Sequence, residues 1–365
     1  MTKSAKPAPV NAPFVMIARV GVWQDRPVSD PLPSPAPAPW RLLALPPLDE
    51  GLLRALFADL PVDLVVPAES TPAAVSAALP GAEIVLGDWS GALGLTGEQV
   101  AAADRLAFVQ QPSAGVDTLD VDALAAAGIP VANAGDANAV SVAEWCVGAA
   151  YAVLRWLAWA DEKTRAGGWP QLEIAQRGGG EVTGRRVGIV GMGRIGVECA
   201  RRFTALGADV AHWSRTERPA EQAGGARWLP LDELLAHSQL LVVVVALAPQ
   251  TRGLLSRERL KRLPTGAVVV NAARGGIVDE DALLEAIRSE HLAGAALDVY
   301  AVEPLPADSP LRQEDRILLS PHAAGATREA QGRLIATVIA NIRRAVSGEP
   351  VQFVVNGQVP TINRR

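Results

Sequence analysis

The stretch Arg186-Val187-Gly188-Ile189-Val190-Gly191-Met192-Gly193-Arg194-Ile195-Gly196 decides how this chain folds. An apolar run of strand character leads into three glycines. The residues after them carry helical spacing as far as Leu206, where Gly207 ends it. In a strand–turn–helix setting each glycine has its own reason. Gly191 permits the tight turn, Gly193 lets the backbone approach a pyrophosphate, and Gly196 lets helix and strand pack closely. The helix opening near Arg194 and Ile195 then offers free N–H groups to phosphate oxygens. Alone, G-x-G-x-x-G is a weak signal; between a strand and a helix it predicts a dinucleotide site.

Working outward, the same alternation continues on both sides. Downstream, strands are expected over 208–213, 240–247, 267–271, 295–299 and 317–319, with a helix over 279–288. The 240–247 run is apolar throughout, as in parallel strands buried on both faces. Upstream, strands over 41–45, 62–66, 83–86 and 106–110 alternate with helices over 49–60, 71–79 and 96–103, and Asp49 is placed to cap the first. Two βα series of this kind imply parallel sheets covered by helices. Long helices expected over 141–165 and 326–346 bracket the second series and stand as hinges between two lobes.

The composition agrees. The chain has 365 residues, 49% apolar and 20% charged, with a net charge of -5. That is material for packed cores and not for a disordered chain. The acidic balance disfavours nucleic acid as a partner. Cys146 and Cys199 form no CxxC pair and no metal-ligand spacing, which suits a reduced, cytoplasmic chain with no metal. The longest apolar run, 240–248, is too short to span a bilayer, so no membrane is expected. Residues 1–40 form a Pro-rich arm ending in Pro31-Leu32-Pro33-Ser34-Pro35-Ala36-Pro37-Ala38-Pro39, a composition that favours extended chain. Its apolar stretch 14–23 is interrupted by Arg19, making a poor signal peptide and leaving an added strand or a contact arm as readings.

About 20 residues past the glycines, an NAD-binding unit carries an acid for the adenosine ribose. Here the strand ends in Ala211-His212-Trp213-Ser214-Arg215-Thr216. Ser214 removes the repulsion a carboxylate would exert on a 2′-phosphate, and Arg215 can pair with that phosphate. The expected cofactor is NADP(H) in preference to NAD(H), with Ser214, Arg215 and Thr216 at the ribose.

Three further segments sit just past apolar strands: Asn271-Ala272-Ala273-Arg274-Gly275-Gly276-Ile277-Val278-Asp279, Leu297-Asp298-Val299-Tyr300-Ala301-Val302-Glu303-Pro304 and Ser320-Pro321-His322-Ala323-Ala324-Gly325. Carboxyl ends of strands in a doubly wound sheet are where ligands bind. Arg274 can hold a carboxylate while polarising the adjacent carbonyl. Hydride transfer builds charge on that carbonyl oxygen, and His322 is the candidate proton donor because an imidazole titrates near neutral pH. Glu303 nearby would favour the imidazolium.

These residues, with Thr183-Gly184-Arg185-Arg186-Val187-Gly188-Ile189-Val190, Ala248-Pro249-Gln250-Thr251-Arg252-Gly253-Leu254 and Glu303-Pro304-Leu305-Pro306-Ala307-Asp308-Ser309-Pro310-Leu311, make the chain resemble the D-isomer-specific 2-hydroxyacid dehydrogenases over 111–325. That family includes glyoxylate and hydroxypyruvate reductases. The resemblance implies the Arg274, Glu303 and His322 roles already derived, and Asp298 orienting the nicotinamide carboxamide. It places the backbone N–H groups of Ala114 and Gly115, in Ser113-Ala114-Gly115-Val116-Asp117, on the substrate carboxylate. It implies a homodimer. The fold expected is α/β with two doubly wound parallel-sheet lobes. A Rossmann cofactor domain (141–325) is inserted into a flavodoxin-like substrate domain (41–140 and 326–365). The expected function is NAD(P)H-dependent interconversion of a small 2-keto acid and its D-2-hydroxy acid. Alternatives are a cofactor-sensing corepressor-like scaffold and a phosphite- or formate-type dehydrogenase, and Glu303 argues against the formate branch, whose arrangement is Gln–His. Departures from the family pattern are Trp145 after Glu144, and Ala246 and Ala248 in the loop before Pro249. The first hundred residues resemble it weakly; there Trp89, Ser90 and Gly91 are expected to wall the substrate pocket.

Overall fold

Short apolar runs make the strands, and side-chain caps start the helices between them. Asp49 accepts the Leu52 N–H at 2.9 Å, Thr71 that of Ala74 at 3.2 Å, and Asp279 that of Ala282 at 3.0 Å. Thr96 and Gln99 close a reciprocal capping box. The computed structural model describes residues 38–45, 49–88 and 90–365. The Pro-rich arm, apart from its last residues, and Trp89 lie outside them.

Among the described residues the strands form two sheets, and every strand pairing in them is parallel. The first contains β1 (Trp40–Ala44), β2 (Val62–Val65), β3 (Ile84–Leu86), β4 (Phe108–Gln110) and β5 (Val131–Ala132), in the order β2-β1-β3-β4-β5. The second contains β6 (Arg186–Val190), β7 (Asp209–Trp213), β8 (Arg227–Trp228), β9 (Leu240–Val243), β10 (Ala267–Asn271), β11 (Leu292–Leu297) and β12 (Ile317–Leu319). Its order is β12-β11-β10-β9-β6-β7-β8. The first is the flavodoxin-like order and the second the Rossmann order with one more strand. Each reverses direction once, between β1 and β3 and between β6 and β9. Ligand crevices open at such points, beyond the carboxyl ends of the strands.

The second sheet lies within the chain of the first. After β12 the helix Arg328–Val346 returns, and its Val338, Ile342 and Ala345 pack with Trp40, Leu42, Ile84 and Phe108 on the first sheet. The helix Ala139–Leu154 instead lays Val142, Cys146, Ala149 and Ala150 on the second. The two helices start side by side: Ser141 and Thr327 share a hydroxyl hydrogen bond of 2.8 Å, and Arg333 Nε donates to the Ala137 carbonyl at 2.8 Å.

Three expectations need correction. The single helix over 141–165 is two, Ala139–Leu154 and Leu157–Arg165, bent by 61°. The break is at Trp156, which takes a left-handed φ of 57°. Past it only Trp159 of the second helix is buried and its residues from Asp161 on are polar and exposed, while Arg177 stacks 4.7 Å over Trp156 and 4.2 Å over Trp159. The strand over 240–247 stops at Val243, because the neighbouring strands end there and the chain turns across Gly191. The helix over 49–60 also ends early, at Leu56, ahead of Pro61. Two short strands, β5 and β8, and four short helices, Val121–Ala126, Gln171–Arg177, Leu231–His237 and Arg257–Leu260, go beyond the expected set. No single helix among the described residues is long and apolar enough to cross a membrane.

Candidate active site

At the carboxyl end of β6 the three glycines differ in what surrounds them. Gly191 has a φ of 104°, and a Cβ there would lie 2.7 Å from the Val245 backbone. A Cβ on Gly196 would stand 2.1 Å from the Gly191 carbonyl oxygen, so helix and turn touch through hydrogen. A Cβ on Gly193 would meet nothing within 4 Å. The backbone N–H groups from Met192 to Gly196, including those of Arg194 and Ile195, find no acceptor among the described residues. A run of unpaired donors at the start of a twelve-residue helix, beside an open glycine, fits a dinucleotide diphosphate. The Arg194 side chain turns elsewhere, to Asp136 at 2.5 Å and over the Phe353 ring at 5.2 Å.

At the end of β7, Ser214 is half-buried and its hydroxyl donates to the Thr216 carbonyl at 2.7 Å. Arg215, Thr216 and Arg218 are exposed, and neither arginine has an ion-pair partner among the described residues.

The reactive groups come from the loops after β10, β11 and β12. His322 Nδ1 lies 2.7 Å from Glu303 Oε2, and the other Glu303 oxygen accepts the Tyr300 N–H at 2.9 Å. With Nδ1 committed, Nε2 is the nitrogen left for chemistry. His322 sits at a left-handed φ of 53°, held by its N–H to the Asp298 carbonyl at 2.8 Å. Asp298 itself is buried. Its carboxylate accepts from Ser320 Oγ at 2.7 Å, Ala323 N at 2.8 Å and Ala324 N at 2.9 Å. In this structure Asp298 therefore organises the His322 loop. Glu280 draws in the Ala301 N–H at 2.6 Å; burial first, then the carboxylates of Asp281, Glu303 and Asp279, push its own titration up.

Arg274 joins the two lobes. Its Nε donates to Asp117 Oδ2 at 2.7 Å and its Nη1 to its neighbour's Ala273 carbonyl at 2.7 Å. Its Nη2 lies against Gly115: a Cβ there would fall 1.8 Å from it. The N–H groups of Ser113, Ala114, Gly115 and Val116 have no acceptor among the described residues. Free amide donors and a guanidinium edge thus converge on one spot. Gly275 packs on the Tyr300 carbonyl, where a Cβ would come within 1.8 Å, which ties the Arg274 loop to the Glu303 loop. Of the expected pocket wall, Ser90 donates to Asp88 from both its N–H, at 2.6 Å, and its hydroxyl, at 2.8 Å.

Sequence reading missed Asp117 as the partner of Arg274, and Asn133, whose Nδ2 donates to the Ala114 carbonyl at 2.8 Å. Asp117 was within reach, as the only charge in its motif. Asn133 carries no local signal.

Residues 147–324 match the family model of the D-isomer specific 2-hydroxyacid dehydrogenase, NAD binding domain. The D-3-phosphoglycerate dehydrogenase of Mycobacterium leprae (strain TN) is 39% identical over 267 residues, 73% of this chain and 50% of that protein. The chain spans about half the length of such relatives. The glyoxylate reductase of Thermococcus onnurineus (strain NA1) is 36% identical over 270 residues, 72% of this chain and 80% of that one. A crystal structure from Polaromonas sp. JS6 66, assigned to the D-isomer specific 2-hydroxyacid dehydrogenases, superposes with a TM-score of 0.75 at 30% identity. That superposition covers 87% of this chain and 99% of the other.

Proposed function

The chain belongs to the D-isomer specific 2-hydroxyacid dehydrogenase family, and on that premise we propose that it is an NAD(P)H-dependent reductase of a small 2-keto acid such as glyoxylate or hydroxypyruvate, forming the D-2-hydroxy acid. The observation that carries this reading is the convergence of Arg274 Nη2 with the free N–H groups at Ala114 and Gly115, linked through Gly275 and Tyr300 to the His322–Glu303 pair. We take 41–140 with 326–365 as the substrate domain and 141–325 as the cofactor domain.

In this reading Ala114, Gly115 and Arg274 hold the substrate carboxylate by charge-assisted hydrogen bonds, and Asp117 keeps the guanidinium in plane. A reduced nicotinamide, when bound, supplies the hydride. His322 donates the proton from Nε2 to the carbonyl oxygen, and Glu303 at Nδ1 fixes the ring. Gly193, Arg194, Ile195 and Gly196 hold the diphosphate through backbone N–H groups, and Gly191, whose own N–H goes to the Trp213 carbonyl at 2.8 Å, makes the turn beside it. Asp298 supports the His322 loop, and its expected contact with the carboxamide belongs to this proposal.

A preference for NADP(H) is supported by Ser214 and by the unpaired, exposed Arg215 and Arg218 on either side of Thr216. The exposed Leu157, Trp169 and Leu172, the last two at 81% and 69%, support a homodimer. The free, buried thiols of Cys146 and Cys199 suit a reducing, cytoplasmic compartment.

The test is oxidation of NADPH and of NADH followed at 340 nm with glyoxylate, hydroxypyruvate and other 2-keto acids, and the reverse reaction with D-3-phosphoglycerate. Turnover of a small 2-keto acid, faster with NADPH, is expected. Folded protein that binds cofactor and turns over none of them would favour the scaffold reading. Oxidation of formate or phosphite alone would overturn the keto-acid assignment.

A further inference from the structure

The loop Ser113–Val116 has no glycine fingerprint and no helix behind it, yet its N–H groups are all free and point away from its carbonyls. Two of its carbonyls are held by side chains, one remote in sequence and one within the loop. The Ala114 carbonyl is taken by Asn133 Nδ2 at 2.8 Å, and the Gly115 carbonyl by Ser113 Oγ at 2.7 Å. A trans peptide is planar, with its C=O and N–H opposed. Fixing the Ala114 carbonyl on Asn133 therefore aims the Gly115 N–H the other way, at a residue that lies against the Arg274 guanidinium. Asn133 is itself clamped, since its Oδ1 accepts the Gly135 N–H at 2.9 Å.

Behind Asn133 stands a buried amide pair. β4 and β5 part after Gln110 and Ala132, which leaves the carbonyls of Gln111 and Asn133 without a ladder partner. Gln110 Nε2 donates to both, at 3.0 and 3.2 Å. Its Oε1 accepts from Asn341 Nδ2 at 2.8 Å, which fixes the amide orientation. Gln110 and Asn341 are 0% and 1% exposed. Buried amides of this kind persist only when they are satisfied; Gln110 bonds the parted strand ends and the returning helix, and Asn341 also holds the Gln352 N–H and carbonyl, each at 2.9 Å.

We propose that Asn133, backed by Gln110 and Asn341, is a positioning residue that builds the substrate-carboxylate site by turning the Ala114–Gly115 peptide. The proposal rests on the keto-acid reading of that site. It also makes the helix Arg328–Val346, which carries Asn341, a support of substrate affinity.

Asn133→Asp is the sharpest probe, because it keeps the acceptor for the Gly135 N–H and loses the donor to Ala114. Gln110→Met, close in volume, removes the supporting amide. Both variants would be loaded with NADPH and titrated with oxamate, a carboxylate analogue of a 2-keto acid, alongside steady-state kinetics. Asn133→Asp is expected to raise the oxamate Kd and the keto-acid KM at least tenfold, change kcat less than threefold and leave the NADPH Kd unchanged. Gln110→Met should move the same quantities in the same direction by a smaller factor. Folded Asn133→Asp protein with oxamate Kd and KM within twofold of wild type overturns the proposal, even where Gln110→Met does not fold. Wild-type protein that binds oxamate but reduces no keto acid defeats the functional reading, and the oxamate titrations still decide the role of Asn133. Wild-type protein that binds no oxamate overturns the positioning role itself.

Discussion

The two lobes each present a run of unpaired backbone donors at a strand end, and they build it in opposite ways. At Met192–Gly196 the donors are free because they open a helix, and the glycines within the run let the backbone turn, pack and be approached. Everything needed lies within a dozen residues. At Ser113–Val116 the peptide planes are set partly from elsewhere, the Ala114 carbonyl being taken by Asn133 while Ser113 of the loop itself holds that of Gly115. Asn133 is 19 residues from Ala114, and Asn341 is 231 residues from Gln110. The first site is a local property of the chain. The second exists only once the fold has closed, and so do the Arg274–Asp117 and His322–Glu303 pairs beside it.

That contrast can be broken or sharpened by experiment. His322→Ala should lower kcat by about 10²–10⁴ and leave the NADPH Kd unchanged in fluorescence titrations; kinetics like wild type would remove His322 from the reaction. Arg274→Ala should raise the keto-acid KM by about 10- to 100-fold, the loss of charge-assisted hydrogen bonds, with a smaller fall in kcat. A KM that does not move would detach the guanidinium from the carboxylate. Gly196→Ala should act on the other half: the new Cβ must displace the Gly191 carbonyl, so the NADPH Kd rises about tenfold or more, with a lower melting temperature. Unchanged cofactor affinity would mean that the turn adapts. Ser214→Asp should shift the NADPH-to-NADH ratio of kcat/KM toward NADH by several-fold, and a constant ratio would sever Ser214 from the ribose.

The smallest effect concerns acid. His212, in β7 of the cofactor sheet, is fully buried, and burial pushes its imidazole below the ordinary value. The unfolded chain then takes up the proton first, so stability contributed by neutral His212 is present above the unfolded value and lost as pH falls through it. The melting temperature should drop on going from pH 7 to pH 5, and His212→Phe should flatten that slope. An identical slope in the variant would assign the acid sensitivity to other groups.

How much was legible follows the same division. The glycine turn, the cap at Asp49, and Arg274, Glu303 and His322 at strand ends all rest on local pattern, and the two sheets follow from the alternation of short apolar runs and helical spacing. What escaped depends on neighbours far along the chain. The apolar run at 240–247 reads as strand to its end, but the strand stops at Val243 where its neighbours stop. The helix over 141–165 reads as continuous, but at the break Trp156 and Trp159 pack with Arg177, which lies well along the chain. Asn133, Gln110 and Asn341 are ordinary polar residues until the fold brings them together.

The return of the C-terminal helix to the first sheet has a consequence for the order in which the molecule is made. The core around Trp40, Leu42 and Phe108 is completed by Val338, Ile342, Ala345, Val351 and Ile362. Some 200 residues separate β5 from the first of these. At about 5–20 residues per second, the ribosome needs roughly 10–40 s to supply them. The seven-stranded sheet, contiguous in the chain, can close during that interval. The earlier-made sheet must wait with an apolar face uncovered, the period in which a nascent chain most needs a chaperone.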